Sequence, residues 1–192
     1  MANDQEKELA ARASMEFVRD GDVVGLGTGS TAAYAVRLLG ERVRTGLKIR
    51  GIPTSVQTQN LAASLGIPLT TLDEVQQIDV TIDGADEFDP ELRLIKGAGG
   101  ALLREKIVAS ATRNEIIICD SGKQVSVLGK SPLPVEVIQF AQALVSKKIS
   151  ALGATVQLKR DRAGDIFVTD EGNHILECDF GSIPEPEARP AP

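Results

Sequence analysis

The sequence has 192 residues, 42% of them apolar and 25% charged, the proportions of a globular chain and not of a disordered one. Lys and Arg number 21 against 27 for Asp and Glu, a net charge of −6; with 3% aromatics and no Trp, a nucleic-acid binder's basic stripe and stacking platform are both missing. The lone His174 rules out metal sites that need two or more histidines. At ~100–200 residues per domain, the length allows one domain, or one with a small appendage.

Residues 4–19 predict an amphipathic helix with Asp4 as N-cap and Leu9, Ala13 and Phe17 on one face. They contain no apolar signal segment. Residues 22–27 predict a short apolar strand, followed by a glycine-rich turn and a helix over 31–43. A second strand is expected over 47–54 and a helix over 55–65, with Gly66 and Pro68 as stop signals. Strands are expected over 67–72 and 78–83, a helix over 99–112 and a buried strand over 114–120. Strands alternating with helices at this spacing indicate an α/β layer with a parallel sheet. Beyond about residue 130 the pattern changes. It predicts a strand over 131–138, a helix over 140–152, a strand over 155–160 and a hairpin over 165–178 that turns at Asp170–Asn173. The reading divides the chain into an α/β domain (1–130), a small α+β domain (131–180) and a Pro-rich tail (181–192) expected to be disordered. No apolar run is long enough to span a bilayer, and Cys119 and Cys178 form no CxxC motif or disulfide framework. These features lead us to expect a soluble, cytoplasmic protein with no membrane partner.

Three segments carry chemistry. In the first, Gly25-Leu26-Gly27-Thr28-Gly29-Ser30-Thr31 lies between a strand and a helix start, where free N–H groups and the helix dipole suit a phosphate. It is not the dinucleotide fingerprint, since Ser30 stands where Gly is needed, and no Gly-Lys-Ser/Thr makes it a P-loop. A phosphate cradle and a plain tight turn fit the spacing equally. In the second, residues 79–89 hold five acids in eleven positions. Thr81 and Pro90 occupy ligand positions of a calcium loop, which excludes one. Asp83 ends an apolar strand, where open α/β sheets place their ligands, and Asp86 is expected to face the same crevice. Glu87 and Asp89 are read as solvated turn residues.

The third segment, 94–108, runs from strand through glycine loop to helix. Lys96 precedes the glycines and can point at an anion. Gly97, Gly99 and Gly100 allow the backbone to approach a ligand closely. Glu105 falls within about one and a half turns of the helix start, with Leu102, Leu103, Ile107 and Val108 placed to shield it. A shielded Glu near a Lys suits proton abstraction beside a carbonyl. An ordinary amphipathic helix with Arg104, Glu105 and Lys106 in solvent fits the spacing equally well. Lys123, after Asp120-Ser121-Gly122, is another cation at a strand's carboxyl end.

Taken together, GLGTGSTA (25–32), TS (54–55), DGADE (83–87), KGAGGALLREKI (96–107), SGKQVSVLGK (121–130) and PLPVEVI (132–138) resemble the type A ribose-5-phosphate isomerases. The resemblance covers about residues 5–183. It implies a Rossmann-like sheet with helices on both faces. It also implies the interconversion of D-ribose 5-phosphate and D-ribulose 5-phosphate in the non-oxidative pentose phosphate pathway, with no metal or organic cofactor and with a homodimer expected. Glu105 matches the family's proton acceptor. Asp83 and Lys96 match residues that contact sugar hydroxyls and assist ring opening. Thr28, Gly29, Ser30 and Thr31 match the substrate and phosphate loop. Gly84, Ala85 and Asp86, then Gly97, Ala98 and Gly99, match substrate contacts, as does Lys123. Ala98 stands where many members have Gly. The family pattern continues past residues 181–188 with a helix and a GVVExGLF-like strand, so the small domain is expected to look truncated beside it. Two rivals remain at this stage: a non-catalytic sugar-phosphate-binding module, and a CoA-transferase-like enzyme with Glu105 as nucleophile.

Overall fold

A computed structural model describes residues 2–188. In chain order it contains α1 (Ala2–Ser14), β1 (Val23–Leu26), α2 (Ser30–Arg44), β2 (Arg50–Pro53), α3 (Val56–Ser64) and β3 (Ile78–Asp83). Then come β4 (Glu87–Phe88), β5 (Leu94–Ile95), α4 (Leu102–Ser110) and β6 (Thr112–Ile117). The last elements are β7 (Leu133–Val137), α5 (Gln142–Ala151), β8 (Thr155–Leu158) and β9 (His174–Asp179). They form two compact units. One comprises the chain through Ala85 together with Leu103–Lys123; the other comprises Asp86–Leu102 and the chain from Gln124 onward. Residues 86–102 are thus grouped with the later part of the chain.

In the first unit the sheet order is β2-β1-β3-β6, all parallel. Every residue of β1 is buried, as expected of a central parallel strand covered on both faces. Val24 and Leu26 join Val80, Ile82, Ala35, Val36, Leu39 and Ala11 in the main core, on the face that receives α1 and α2. Gly25 points to the opposite face. A Cβ there would lie 2.9 Å from Val108 of α4, so that helix packs on the second face. Helices thus cover both faces of the parallel sheet, as expected.

Several boundaries differ from expectation. Residues 67–72 contribute only a single bridge, Leu69 to Gly51, because Pro68 has no N–H to extend a ladder. The strand expected to be buried at 114–120 is β6, an edge strand with Arg113, Asn114 and Glu115 exposed. The helix expected over 99–112 starts only at Leu102, since Gly97–Gly100 close a turn in which the Gly100 N–H donates to the Gly97 carbonyl at 2.9 Å.

The second unit holds a two-stranded antiparallel ladder, β4-β5, and an antiparallel sheet of order β7-β9-β8. Val137, Ile149, Leu176 and Cys178 form its core under α5. Burial pushes the Cys178 thiol up to about 11. The turn before β9 closes as expected, with the Thr169 N–H donating to the Asn173 carbonyl at 2.9 Å. The arm at 165–168 makes only isolated bridges. In the segment expected to be a disordered tail, Ile183 is buried and its N–H donates to the Leu128 carbonyl at 2.7 Å. The rest of that expectation, residues 189–192, lies outside the described residues. Among the described residues no helix is long and apolar enough to cross a membrane.

Glu87 and Asp89 overturn the solvated reading: they are 2% and 1% exposed. Glu87 accepts the N–H groups of Gly129, at 2.9 Å, and of Ser131. Asp89 accepts from the N–H groups of Glu91 and Arg93 at 3.1 and 2.9 Å, and from Arg93 Nε at 2.7 Å. Burial alone would raise the Asp89 pKa, but the Arg93 hydrogen bonds and charge outweigh it and hold the carboxyl below its ordinary range. These two acids organise loops in the second unit.

Candidate active site

In the first unit the β1–α2 turn carries Thr28, Gly29, Ser30 and Thr31. Gly27 has no room for a side chain: a Cβ would sit 2.3 Å from Asp83 Oδ1 and 2.5 Å from the Ile82 carbonyl. That close approach lets Asp83, the last residue of β3 and 1% exposed, accept the Thr28 N–H at 3.1 Å and the Gly84 N–H at 2.8 Å. One buried carboxylate thus ties the phosphate-loop candidate to the DGA segment. Gly29, the N-cap of α2, has φ 116° and no side chain to cap the helix. Gly29 and Ser30 are exposed and Thr31 is buried. The positive end of the helix therefore opens to solvent at this turn, as an anion site requires.

Glu105 lies in the first turn of α4 and is 6% exposed. The reading that leaves it in solvent with Arg104 and Lys106 does not hold. Ala85, half-buried, offers its carbonyl to Cys119 Sγ at 4.0 Å. Lys123 closes a 3-10 turn over Ser121–Lys123 that is pinned from two sides. The Lys123 N–H donates to the Asp120 carbonyl at 3.1 Å. The Ser121 N–H and hydroxyl both donate to Glu6 of α1, at 2.8 and 2.7 Å. The Ser121 hydroxyl bond, then the Ser121 N–H bond, hold the Glu6 carboxyl below its usual value against the opposing effect of burial.

The second unit contains Asp86, Lys96, Gly97, Ala98 and Gly99. Asp86 accepts the Ala98 N–H at 2.8 Å, and the Asp86 N–H donates to the Ile95 carbonyl at 2.8 Å, so Asp86 and the glycine loop come together. Gly97 has φ 97°, and a Cβ there would lie 2.7 Å from Leu102 Cβ. Gly99 and Ala98 are exposed, and a Cβ at Gly99 would meet nothing within 4 Å. Lys96 is half-buried. Among the described residues no cluster of three or more His, Cys, Asp or Glu side chains could hold a metal ion.

Two groups of residues were missed as functional candidates. One is the hydroxyl cluster of Thr54, Ser55 and Thr58 around Thr28; its sequence signal was the family-like TS at 54–55, and in the fold Ser55 also caps α3, its side chain accepting the Thr58 N–H at 3.0 Å. The other is Glu6, which had no signal, because its partner Ser121 is 115 residues away.

A family model described as ribose 5-phosphate isomerase A (phosphoriboisomerase A) matches residues 50–190. The chain belongs to this family. It is 56% identical to the ribose-5-phosphate isomerase A of Parvibaculum lavamentivorans over 97% of this chain and 83% of the relative. It is 52% identical to that of Sphingopyxis alaskensis, over 94% and 79% of the two chains. Among solved structures, a D-ribose-5-phosphate isomerase in complex with phospho-erythronic acid superposes with a TM-score of 0.92 at 41% identity, over 97% of this chain and 83% of that one. The ribose 5-phosphate isomerase A of Methanocaldococcus jannaschii gives 0.89 at 40% identity, over 94% and 81%.

Proposed function

We propose that Glu105 carries the proton in the isomerisation of D-ribose 5-phosphate to D-ribulose 5-phosphate, the aldose–ketose reaction to which family membership assigns this chain. The observation that supports the role most is the burial of Glu105 in the first turn of α4, directly after the glycine loop. A water-excluded carboxylate at that place is suited to act as a base beside a carbonyl. The open-chain sugar loses its C2 proton to the Glu105 carboxylate, and C1 and C2 become a cis-enediolate. The proton on O2 passes to O1 as Glu105 returns its proton to the other carbon, C1. Ring opening is assigned to Asp83 and Lys96. Lys96 and the N–H groups of Gly97, Ala98 and Gly99 stabilise the enediolate oxygens. The turn of Thr28, Gly29, Ser30 and Thr31 holds the phosphate end, with Ser30 and the uncapped first turn of α2 as its donors and Thr28 as its anchor. Gly84, Ala85, Asp86 and Lys123 contact the sugar chain. The reaction needs no metal or organic cofactor in this scheme. The enzyme is read as a cytoplasmic homodimer that acts on a small sugar phosphate and binds no nucleic acid.

Incubation with ribose 5-phosphate and detection of ketose tests the activity. The Glu105→Gln variant tests the base: turnover should fall by at least ~10²–10⁴-fold with substrate binding retained. Near-normal turnover would remove Glu105 from the role. Binding without ketose in the unmodified protein would favour the sugar-phosphate-binding module.

A further inference from the structure

Four side-chain hydroxyls meet beneath the β1–α2 turn, and the scheme above uses only one of them. Thr28 Oγ1 lies 2.7 Å from Thr54 Oγ1, 2.8 Å from Ser55 Oγ and 3.2 Å from Thr58 Oγ1. Ser55 Oγ donates to Thr58 Oγ1 at 3.1 Å, and Thr58 Oγ1 donates to the Gly27 carbonyl at 3.0 Å. Thr54, Ser55 and Thr58 are 0%, 5% and 5% exposed. Each hydroxyl has one proton to give. A single directed chain uses all four: Thr54 to Thr28, Thr28 to Ser55, Ser55 to Thr58, and Thr58 to the Gly27 carbonyl. In the alternative, Thr54 donates to the Leu26 carbonyl at 3.0 Å while Thr28 still donates to Ser55. Both arrangements consume the Thr28 hydroxyl proton inside the cluster, and the Thr28 N–H is already given to Asp83.

Thr28 therefore has no N–H or O–H left for a phosphate while the cluster is intact. The open donors of the turn are the Ser30 hydroxyl and the uncapped first turn of α2, and their direction depends on where residues 27 and 28 are held. We propose that Thr54, Ser55 and Thr58 are positioning residues for the phosphate-binding turn, acting through Thr28 and the Gly27 carbonyl. They fasten the β1–α2 turn to the start of α3 from below, so that its donors are aimed before the ligand arrives. Such preorganisation lowers the cost of binding without touching the reacting carbons. The inference rests on the assignment of residues 28–31 to the phosphate end.

The decisive pair is Thr58→Val, which keeps the shape and deletes the hydroxyl, and Thr58→Ser, which keeps the hydroxyl and deletes the methyl. Two quantities are read: KM and kcat for ribose 5-phosphate, and the affinity for inorganic phosphate measured calorimetrically, which needs no turnover. Thr58→Val should raise KM and weaken phosphate binding, each about tenfold, while kcat changes less than about threefold. Thr58→Ser should restore both. A merely packing role would be rescued by the valine and impaired by the serine, the opposite pattern. Unchanged KM and phosphate affinity in Thr58→Val, or loss confined to kcat, would overturn the proposal. If Thr58→Val does not fold, as read by circular dichroism, Ser55→Ala takes its place with the same expected signs. If the unmodified protein binds phosphate but makes no ketose, the isomerase reading fails, and the phosphate affinities still decide the positioning role.

Discussion

The turn at 25–31 and the turn at 97–100 each follow a strand, each are rich in glycine and are each fastened by a carboxylate, but they are held with different strength. In the first, Asp83 takes two N–H groups and is buried, three hydroxyls interlock with that of Thr28, and Gly27 sits against the end of β3 without space for a methyl. In the second, Asp86 is only half-buried and takes one N–H, and the loop's own shape comes from Gly97 and a single turn hydrogen bond. The difference follows the chemistry proposed for each. A phosphate keeps its charge through the reaction and is best met by a rigid cradle. The enediolate changes charge and geometry as it forms, and the loop assigned to it is fastened by fewer bonds.

The comparison breaks first at the glycines. Gly27→Ala should cost roughly 1–3 kcal/mol of stability or more, because its Cβ would collide with backbone and with the Asp83 carboxylate at once. Gly99→Ala is the control. It meets open space and should change stability by no more than about 0.5 kcal/mol. Urea denaturation of the two variants measures both, and equal losses would show that the turns are not held differently.

The carboxylates sharpen it next. Asp83→Ala leaves two N–H groups without their acceptor in a buried place and should cost about 1–3 kcal/mol. Asp86→Ala frees one N–H of an exposed residue, which water can satisfy, and should cost less than about 1 kcal/mol. Thermal unfolding at a single pH compares them, and the reverse order would place the stronger fastening in the second unit.

The smallest effect is acid-dependent. The Glu6 carboxyl titrates below its ordinary 4.5 because the folded chain supplies both Ser121 donors. Its contribution is fully present above the unfolded pKa and is lost as pH falls through the lowered folded value. Glu6→Gln should therefore flatten the fall of Tm between about pH 5 and pH 3 while leaving most of the curve unchanged. An unchanged slope would mean that Glu6 does not pin the Lys123 turn.

Local chemistry was legible from the residues. β3 runs over Ile78–Asp83, the strand expected over 78–83, and α3 lies within the helix expected over 55–65. The glycine segments lead into α2 and α4, and Asp83 ends its strand. What local pattern did not show is which carboxylates are buried. Five acids between residues 79 and 89 look alike in sequence. Yet Glu87 is buried because Gly129 and Ser131 reach it from more than 40 residues away, and Asp89 because the Arg93 hairpin folds over it. The helix over 99–112 was drawn too long for a related reason: Gly99 and Gly100 are spent in closing a turn, which periodicity cannot see.

The sequence by itself determined the class of fold, the order of its elements, the glycine turns and the identity of the family. These depend on interactions between near neighbours: apolar period, helix caps and the backbone freedom of glycine. Only the tertiary structure decided that β6 is an edge, that Glu105 is shielded while Arg104 and Lys106 beside it gave no sign of it, and that four hydroxyls from two different turns close into one network. Those outcomes depend on groups that folding brings together across 26 to 31 positions of chain in the hydroxyl cluster. A buried polar group must find its partner there or lose the free energy of its hydration, a constraint that acts on the folded chain and leaves no periodic trace in the sequence.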